Sequence, residues 1–135
     1  MSLPQEPAQI EFLTATTKRY EDFCYGLEDA ALSPDDFVLR CPKGIRSKDE
    51  LLAHYAAAGK FPQYFGSNWD ALSDCLRDFS WLRQERVVII HEEYPPFASE
   101  KELSTYLEVL EAAAKFWKAR KEKEHELLIV FPARI

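Results

Sequence analysis

The chain has 135 residues, a net charge of −6 at pH 7, 47% hydrophobic and 13% aromatic residues, which is enough for one domain with a proper core. The acidic balance argues against non-specific nucleic-acid binding, which needs a basic footprint, and favours a basic protein partner or a solvated acidic surface. No apolar run approaches the ~20 residues of a membrane span and no basic-then-apolar leader opens the chain, so a cytoplasmic protein with no membrane association is expected.

The cysteines, Cys24, Cys41 and Cys75, are odd in number, widely spaced and without a Cys-x-x-Cys pair. That pattern fits neither a disulfide framework nor a zinc site and predicts reduced thiols in a core. Residues 1–8 hold Pro4 and Pro7 and are expected to be loose. Ile10-Glu-Phe-Leu13 alternates weakly, as a short strand does. Over Thr17–Leu32, Tyr20, Phe23, Cys24, Leu27 and Ala31 recur at helical spacing. Residues 1–35 are too few for an independent core. They read as an N-terminal elaboration packed on a main domain at 36–135.

Ser33-Pro34 marks a break. Asp36-Phe-Val-Leu-Arg-Cys41 is the first predicted core strand, and Pro42-Lys-Gly44 turns the chain. Ser47, with Glu50 three residues on, starts a helix with a capping-box pattern. Its apolar side is Leu51, Leu52, Tyr55 and Ala56; it runs to about Ala58, where Gly59 is placed to end it. His54 on this helix reads as a surface histidine in preference to a ligand or a base.

Phe61 to Phe79 then reads as a loop running straight into a helix. Pro62 and Gly66 punctuate the loop, and Ser67 or Asn68 supplies the capping oxygen. From Trp69 on, at ~100° per residue, Trp69, Ala71, Leu72, Cys75, Leu76 and Phe79 share one side. Asp70, Ser73, Asp74, Arg77 and Asp78 share the other. Asp70, Asp74 and Asp78 stand at i, i+4 and i+8, so neighbouring pairs repel by roughly 0.2–0.5 kcal/mol. Asp78 is also opposed by the helix dipole, and Arg77 relieves only part of this. Such a ridge is either a solvated face or a face shaped to meet something positive.

Arg86-Val-Val-Ile-Ile90 is a nearly continuous β-branched run, as in a strand covered on both faces. His91-Glu-Glu-Tyr-Pro-Pro96 follows it. Loops beyond strand ends gather ligands in parallel sheets, and imidazole beside Glu92 and Glu93 is the pattern of metal or proton chemistry. A polar loop is the reading adopted, because no second His/Asp cluster stands at ligand spacing. No metal or cofactor is expected. Ser99 caps a long helix over about 99–124, with Leu103, Tyr106, Leu107, Leu110, Ala113, Ala114 and Trp117 as its seam. The cations Lys115, Lys118, Arg120, Lys121 and Lys123 complement its C-terminal dipole and read as a solvated end. Leu127-Leu-Ile-Val-Phe131 is the last strand. The order predicts an α/β fold, a small parallel sheet with right-handed helical crossovers.

The segment Tyr64-Phe-Gly-Ser-Asn-Trp-Asp-Ala-Leu-Ser-Asp-Cys-Leu76 resembles the core motif of the barstar family, intracellular inhibitors of barnase-type ribonucleases. The shared pattern is an aromatic pair, Gly, x, Asn, an apolar residue, Asp-Ala-Leu, x, Asp-Cys-Leu. The resemblance covers about 36–131 and is strongest over 61–82. It implies a three-stranded parallel sheet covered by helices. It implies no catalysis, but inhibition of a basic ribonuclease by an acidic helix that occupies the active site in place of RNA phosphates. By position, Asp74 matches the carboxylate that sits deepest in the nuclease phosphate site, and Asp70 matches its neighbour at the rim. Tyr64 matches the stacking aromatic of the loop, and Gly66 and Asn68 match residues that shape the loop and start the helix. Ser73 stands where barstar has a tryptophan, which removes an apolar contact. A contacting glutamate of the later helix has Glu108 and Glu111 as candidates. The alternative is a toxin-immunity or interaction module with a different partner.

Overall fold

The computed structural model describes residues 34–63, 65–120 and 126–131. The strand predicted at 10–13, the helix predicted at 17–32 and Tyr64 lie outside the described residues.

Along the described chain run β1 (Phe37–Cys41), α1 (Lys48–Ala58), α2 (Trp69–Leu76), β2 (Arg86–His91), α3 (Glu100–Ala119) and β3 (Glu126–Val130). The strands form one sheet in the order β1-β2-β3. Both pairings are parallel, with Leu39 opposite Ile89 and Ile89 opposite Ile129. This is the small parallel α/β sheet expected from the order of elements, with the three strands and covering helices that the resemblance to the barstar family implies. Parallel neighbours cannot be joined by tight turns, so α1 and α2 fill the first crossover and α3 the second.

One face of the sheet, built from Phe37, Leu39, Cys41, Val87, Ile89, Leu127 and Ile129, merges with buried residues of all three helices into one apolar cluster. Leu51, Leu52 and Tyr55 come from α1, Leu72, Cys75 and Leu76 from α2, and Tyr106, Leu110, Ala113 and Trp117 from α3. Cys41 and Cys75 are buried free thiols. Burial pushes the Cys41 thiol up to about 12. Burial, then the charges of Asp78 and Asp74, push Cys75 up to about 11.

The helix ends follow local chemistry. Ser47 Oγ accepts from the Glu50 N–H at 3.1 Å and caps α1. Gly59 closes α1 in ordinary helical space (φ −86°), and the left-handed residue is Lys60, with φ 55°. Glycine is needed at position 59 for room: a Cβ there would lie 2.7 Å from both the Tyr55 carbonyl oxygen and the Phe61 ring. Ser99 Oγ caps α3 by accepting from the Glu102 N–H at 3.3 Å. That helix stops at Ala119, short of the expected 124, because Arg120 adopts extended backbone (φ −73°, ψ 130°). The Arg120 guanidinium folds back over Phe116 and Trp117, 5.5 and 5.3 Å from the ring centroids.

A chain of hydrogen bonds ties α1 and α3 to the sheet. His91 Nδ1 lies 3.1 Å from the Val130 carbonyl, so the ring donates there. His91 Nε2 is then an acceptor, and takes the Tyr106 hydroxyl at 2.6 Å. The Tyr106 oxygen in turn accepts from the Tyr55 hydroxyl at 2.6 Å. Every side chain in this chain is fully buried.

Candidate partner-binding site

The loop into α2 is packed from beneath. Phe61 sets its ring edge against Phe65 at 5.1 Å and Trp81 at 5.5 Å. The Phe65 N–H donates to the Pro62 carbonyl at 3.0 Å, and the Trp81 indole donates to the Gly59 carbonyl at 3.0 Å. Ser67 in this loop is left-handed (φ 53°), next to Gly66. Gly66 is exposed, and a Cβ there would come no nearer than 3.4 Å to Asn68 Nδ2. Of the two candidate caps, Asn68 is the one used: its Oδ1 accepts from the Ala71 N–H at 2.7 Å.

The display helix is fixed at both ends. At its start, Trp69 is half-buried and stacks on Tyr106, with ring centroids 6.0 Å apart. At its end, the Trp117 indole donates to the Leu76 carbonyl at 2.8 Å, satisfying one of the carbonyls a helix terminus leaves open. The two contacts set α2 alongside α3, its first turn near Tyr106 and its last near Trp117.

Asp70 and Asp74 both face outward and are exposed. The Asp74 side chain is 78% exposed and accepts from Arg77 Nη2 at 3.2 Å. An exposed pair of this kind contributes about 0–1 kcal/mol, so it leaves the carboxylate available to a stronger partner. Ser73 is half-buried between the two acids. Asp78, expected as the third carboxylate of the helical ridge, is not on the helix. The helix ends at Leu76, the Asp78 N–H donates to the Cys75 carbonyl in the closing turn, and Phe79 is left-handed (φ 53°). A third like charge at the carbonyl end would oppose the dipole and repel Asp74. Outside the helix, Asp78 accepts from Ser80 Oγ at 3.1 Å.

The sequence reading missed what lies beside Asp74. Arg77 stands 5.9 Å over Phe116, and Arg120 shares the same ring. Two guanidiniums on one half-buried phenyl ring make a basic, aromatic margin to the acidic pair. The signal was the i, i+4 spacing of Phe116 and Arg120, which the run of lysines around it concealed. Neither glutamate candidate fills that margin. At ~100° per residue, Glu111 falls about 140° around α3 from Phe116 and pairs with Lys115 at 2.8 Å. Glu108 falls about 80° away and is exposed.

The His91 reading needs correction. His91 is the last residue of β2, not of a loop, and is fully buried. Its ring stacks on Phe131 at 3.8 Å, and both ring nitrogens are used internally. Burial, with a smaller contribution from His54, drives its imidazole down to about 3, only partly opposed by the Val130 carbonyl. Glu93 is occupied by the Gly44 N–H at 2.8 Å. His54, expected on the surface, is half-buried and donates to the Arg40 carbonyl. Among the described residues there is no group of three or more His, Cys, Asp or Glu placed to hold a metal, and no helix long and apolar enough to cross a membrane.

No curated protein and no solved structure matches the chain. The family model for Barstar (barnase inhibitor) matches residues 36–131, the full span from the start of β1 to the end of β3. With three parallel strands in order, helices in both crossovers and the capped acidic helix between them, the chain belongs to the barstar family of barnase inhibitors.

Proposed function

We propose that this protein binds and inhibits a basic ribonuclease by placing Asp70 and Asp74 in the cleft that receives RNA phosphates. An RNA-cleaving site must attract phosphate, so it presents Arg, Lys and His. Carboxylates on a rigid helix answer that arrangement with charge-assisted, directional hydrogen bonds. The observation that carries this reading is the exposure of Asp70 and Asp74 one turn apart on a helix anchored at both ends. Rigid display matters because no ordering cost is then incurred on binding. Gly66 and Asn68, both exposed, stand on the loop side of the same surface, and Ser73 leaves space between the acids. The partner is a protein; the chain itself contacts no nucleic acid and needs no cofactor.

A second reading is supported by the basic margin. Arg77 and Arg120 beside Asp74, with serine at position 73, favour a target whose cleft is bordered by acidic groups. Such a target is a toxin nuclease of another type, with this chain as its immunity module. Pull-down from the host extract, wild type against Asp74→Ala, followed by ribonuclease assay of the captured protein, tests both. Captured ribonuclease activity that Asp74→Ala abolishes supports inhibition. Asp74-dependent capture without ribonuclease activity supports the second reading. Equal capture by both proteins contradicts the site.

A further inference from the structure

Arg77 is held more firmly than an exposed arginine needs to be. It stands at the C-cap of α2, just beyond Asp74. Nη2 donates to Asp74 Oδ1 at 3.2 Å, Nε donates to the Ser73 carbonyl at 3.3 Å, and Cζ lies 5.9 Å over the Phe116 ring. The guanidinium is thus ordered before any partner arrives, which lowers the cost of using it. Its planar fork carries five N–H donors, and the bonds to Asp74 and Ser73 engage two of them. With 41% of the side chain exposed, the rest of the fork remains for an acceptor outside this chain. Arg120, 5.5 Å from the same phenyl ring, adds a second positive charge to the margin.

We propose that Arg77 selects the target by receiving the carboxylate that serves the nuclease as general base. The inference rests on the reading that Asp74 takes the place of an RNA phosphate. A ribonuclease that cleaves through the sugar 2′-hydroxyl needs a base within about 2.6–3.2 Å of that hydroxyl to take its proton. The hydroxyl sits on the carbon next to the one that bears the phosphate, so the base stands immediately beside the phosphate site. A carboxylate or an imidazole fills that role. A carboxylate base meets Asp74 as a like charge, and like charges brought together at an interface oppose binding. A guanidinium already bonded to Asp74 removes the conflict. Through its remaining N–H groups it pairs with the second carboxylate in the charge-assisted, directional manner that arginine favours. The separation also fits. The fork begins 3.2 Å from Asp74 Oδ1, and a charge-assisted bond adds about 2.8 Å, so the second carboxylate lies beside the Asp74 site and not across the cleft from it. An imidazole in the same place becomes a cation when it takes the proton, and Arg77 and Arg120 oppose it. The surface thus separates two classes of ribonuclease that present the same basic phosphate site.

The test is a double-mutant cycle with the ribonuclease that the wild-type protein captures from the host extract. In that nuclease, the Asp or Glu whose change to its amide abolishes RNA cleavage marks the base. Calorimetry then measures binding of wild type and of Arg77→Gln to both forms of the nuclease. Arg77→Gln should weaken binding of the unaltered nuclease at least about 10-fold and binding of the amide form less than about 2-fold, with its circular dichroism unchanged. An equal loss against both forms would overturn the proposal, as would a captured ribonuclease whose cleavage survives amide replacement of every Asp and Glu in its cleft. Asp74→Ala keeps the two readings apart. If it abolishes capture while the cycle shows no coupling, the phosphate-site reading stands and the role given to Arg77 falls. If capture does not depend on Asp74, both fall.

Discussion

Replacing Tyr106 by Phe removes a single oxygen on which two buried groups depend, although the Tyr55 hydroxyl keeps the Cys41 thiol beside it. His91 Nε2 loses its 2.6 Å donor and the Tyr55 hydroxyl loses its 2.6 Å acceptor. Each polar group left unsatisfied in the interior costs about 1–3 kcal/mol, and the burial cost no longer incurred for the Tyr106 hydroxyl offsets part of the sum. The net loss should be about 2–4 kcal/mol, because the phenyl ring keeps its packing against Trp69 at 6.0 Å and Phe97 at 6.4 Å. For a domain of this size that corresponds to a fall of roughly 10–25 °C in Tm. Urea unfolding followed by tryptophan fluorescence reads it directly, with the midpoint lowered and the slope m unchanged. The double variant with Tyr55→Phe should cost less than the sum of the two single changes, since the hydroxyl that lost its acceptor is then gone. A loss for Tyr106→Phe below about 0.5 kcal/mol, or strict additivity with Tyr55→Phe, would refute the directed chain from Tyr55 to Val130.

Stability should also follow His91. Its folded pKa is lowered to about 3 against about 6.5 when unfolded. Between those values the unfolded chain binds the extra proton, so the contribution is complete above pH 6.5 and is lost as the pH falls toward 3. The loss reaches at most about 5 kcal/mol. Urea unfolding at pH 7, 5.5 and 4.5 measures it, and His91→Gln should flatten the profile. Asn68→Ala removes the cap of α2 and should cost about 1 kcal/mol, read by the same urea titration. Gly59→Ala should cost about 1–3 kcal/mol, because its Cβ would press on a backbone oxygen 2.7 Å away as well as on the Phe61 ring; an unchanged Tm would contradict that steric reason.

The strands and helices were legible because their patterns are strong. The run Val87–Ile90 is fully buried, as an apolar stretch in a central strand should be. The capping oxygens of Ser47 and Ser99 stood where the hydrophobic period begins. What the sequence did not yield depended on contacts across the fold. Asp78 continues the i, i+4 pattern, yet the helix has already ended, because the carbonyl end is closed by Trp117 from α3 and by a left-handed Phe79. His91 follows an apolar run and precedes two glutamates, so sequence alone gives it to the loop. Only the neighbouring Tyr106 and Val130, distant in the chain, make it a strand residue with both nitrogens satisfied. The basic margin of Arg77, Phe116 and Arg120 likewise exists only once α2 lies along α3. The outward-facing acids Asp70 and Asp74 were visible as a charge pattern, and the role proposed for them came from the motif around them.

The central claim is that outward carboxylates on α2 occupy a phosphate-binding cleft. The most direct measurement is a titration of the captured ribonuclease with wild-type protein and with Asp74→Asn, at two salt concentrations. Wild type should abolish RNA cleavage at equimolar ratio and do so less tightly as salt rises. Asp74→Asn should keep its circular dichroism and urea midpoint yet need at least about 100-fold more protein, the loss expected when a charge-assisted contact of about 3 kcal/mol is removed. Equal inhibition by the two proteins, or inhibition indifferent to salt, would contradict the account.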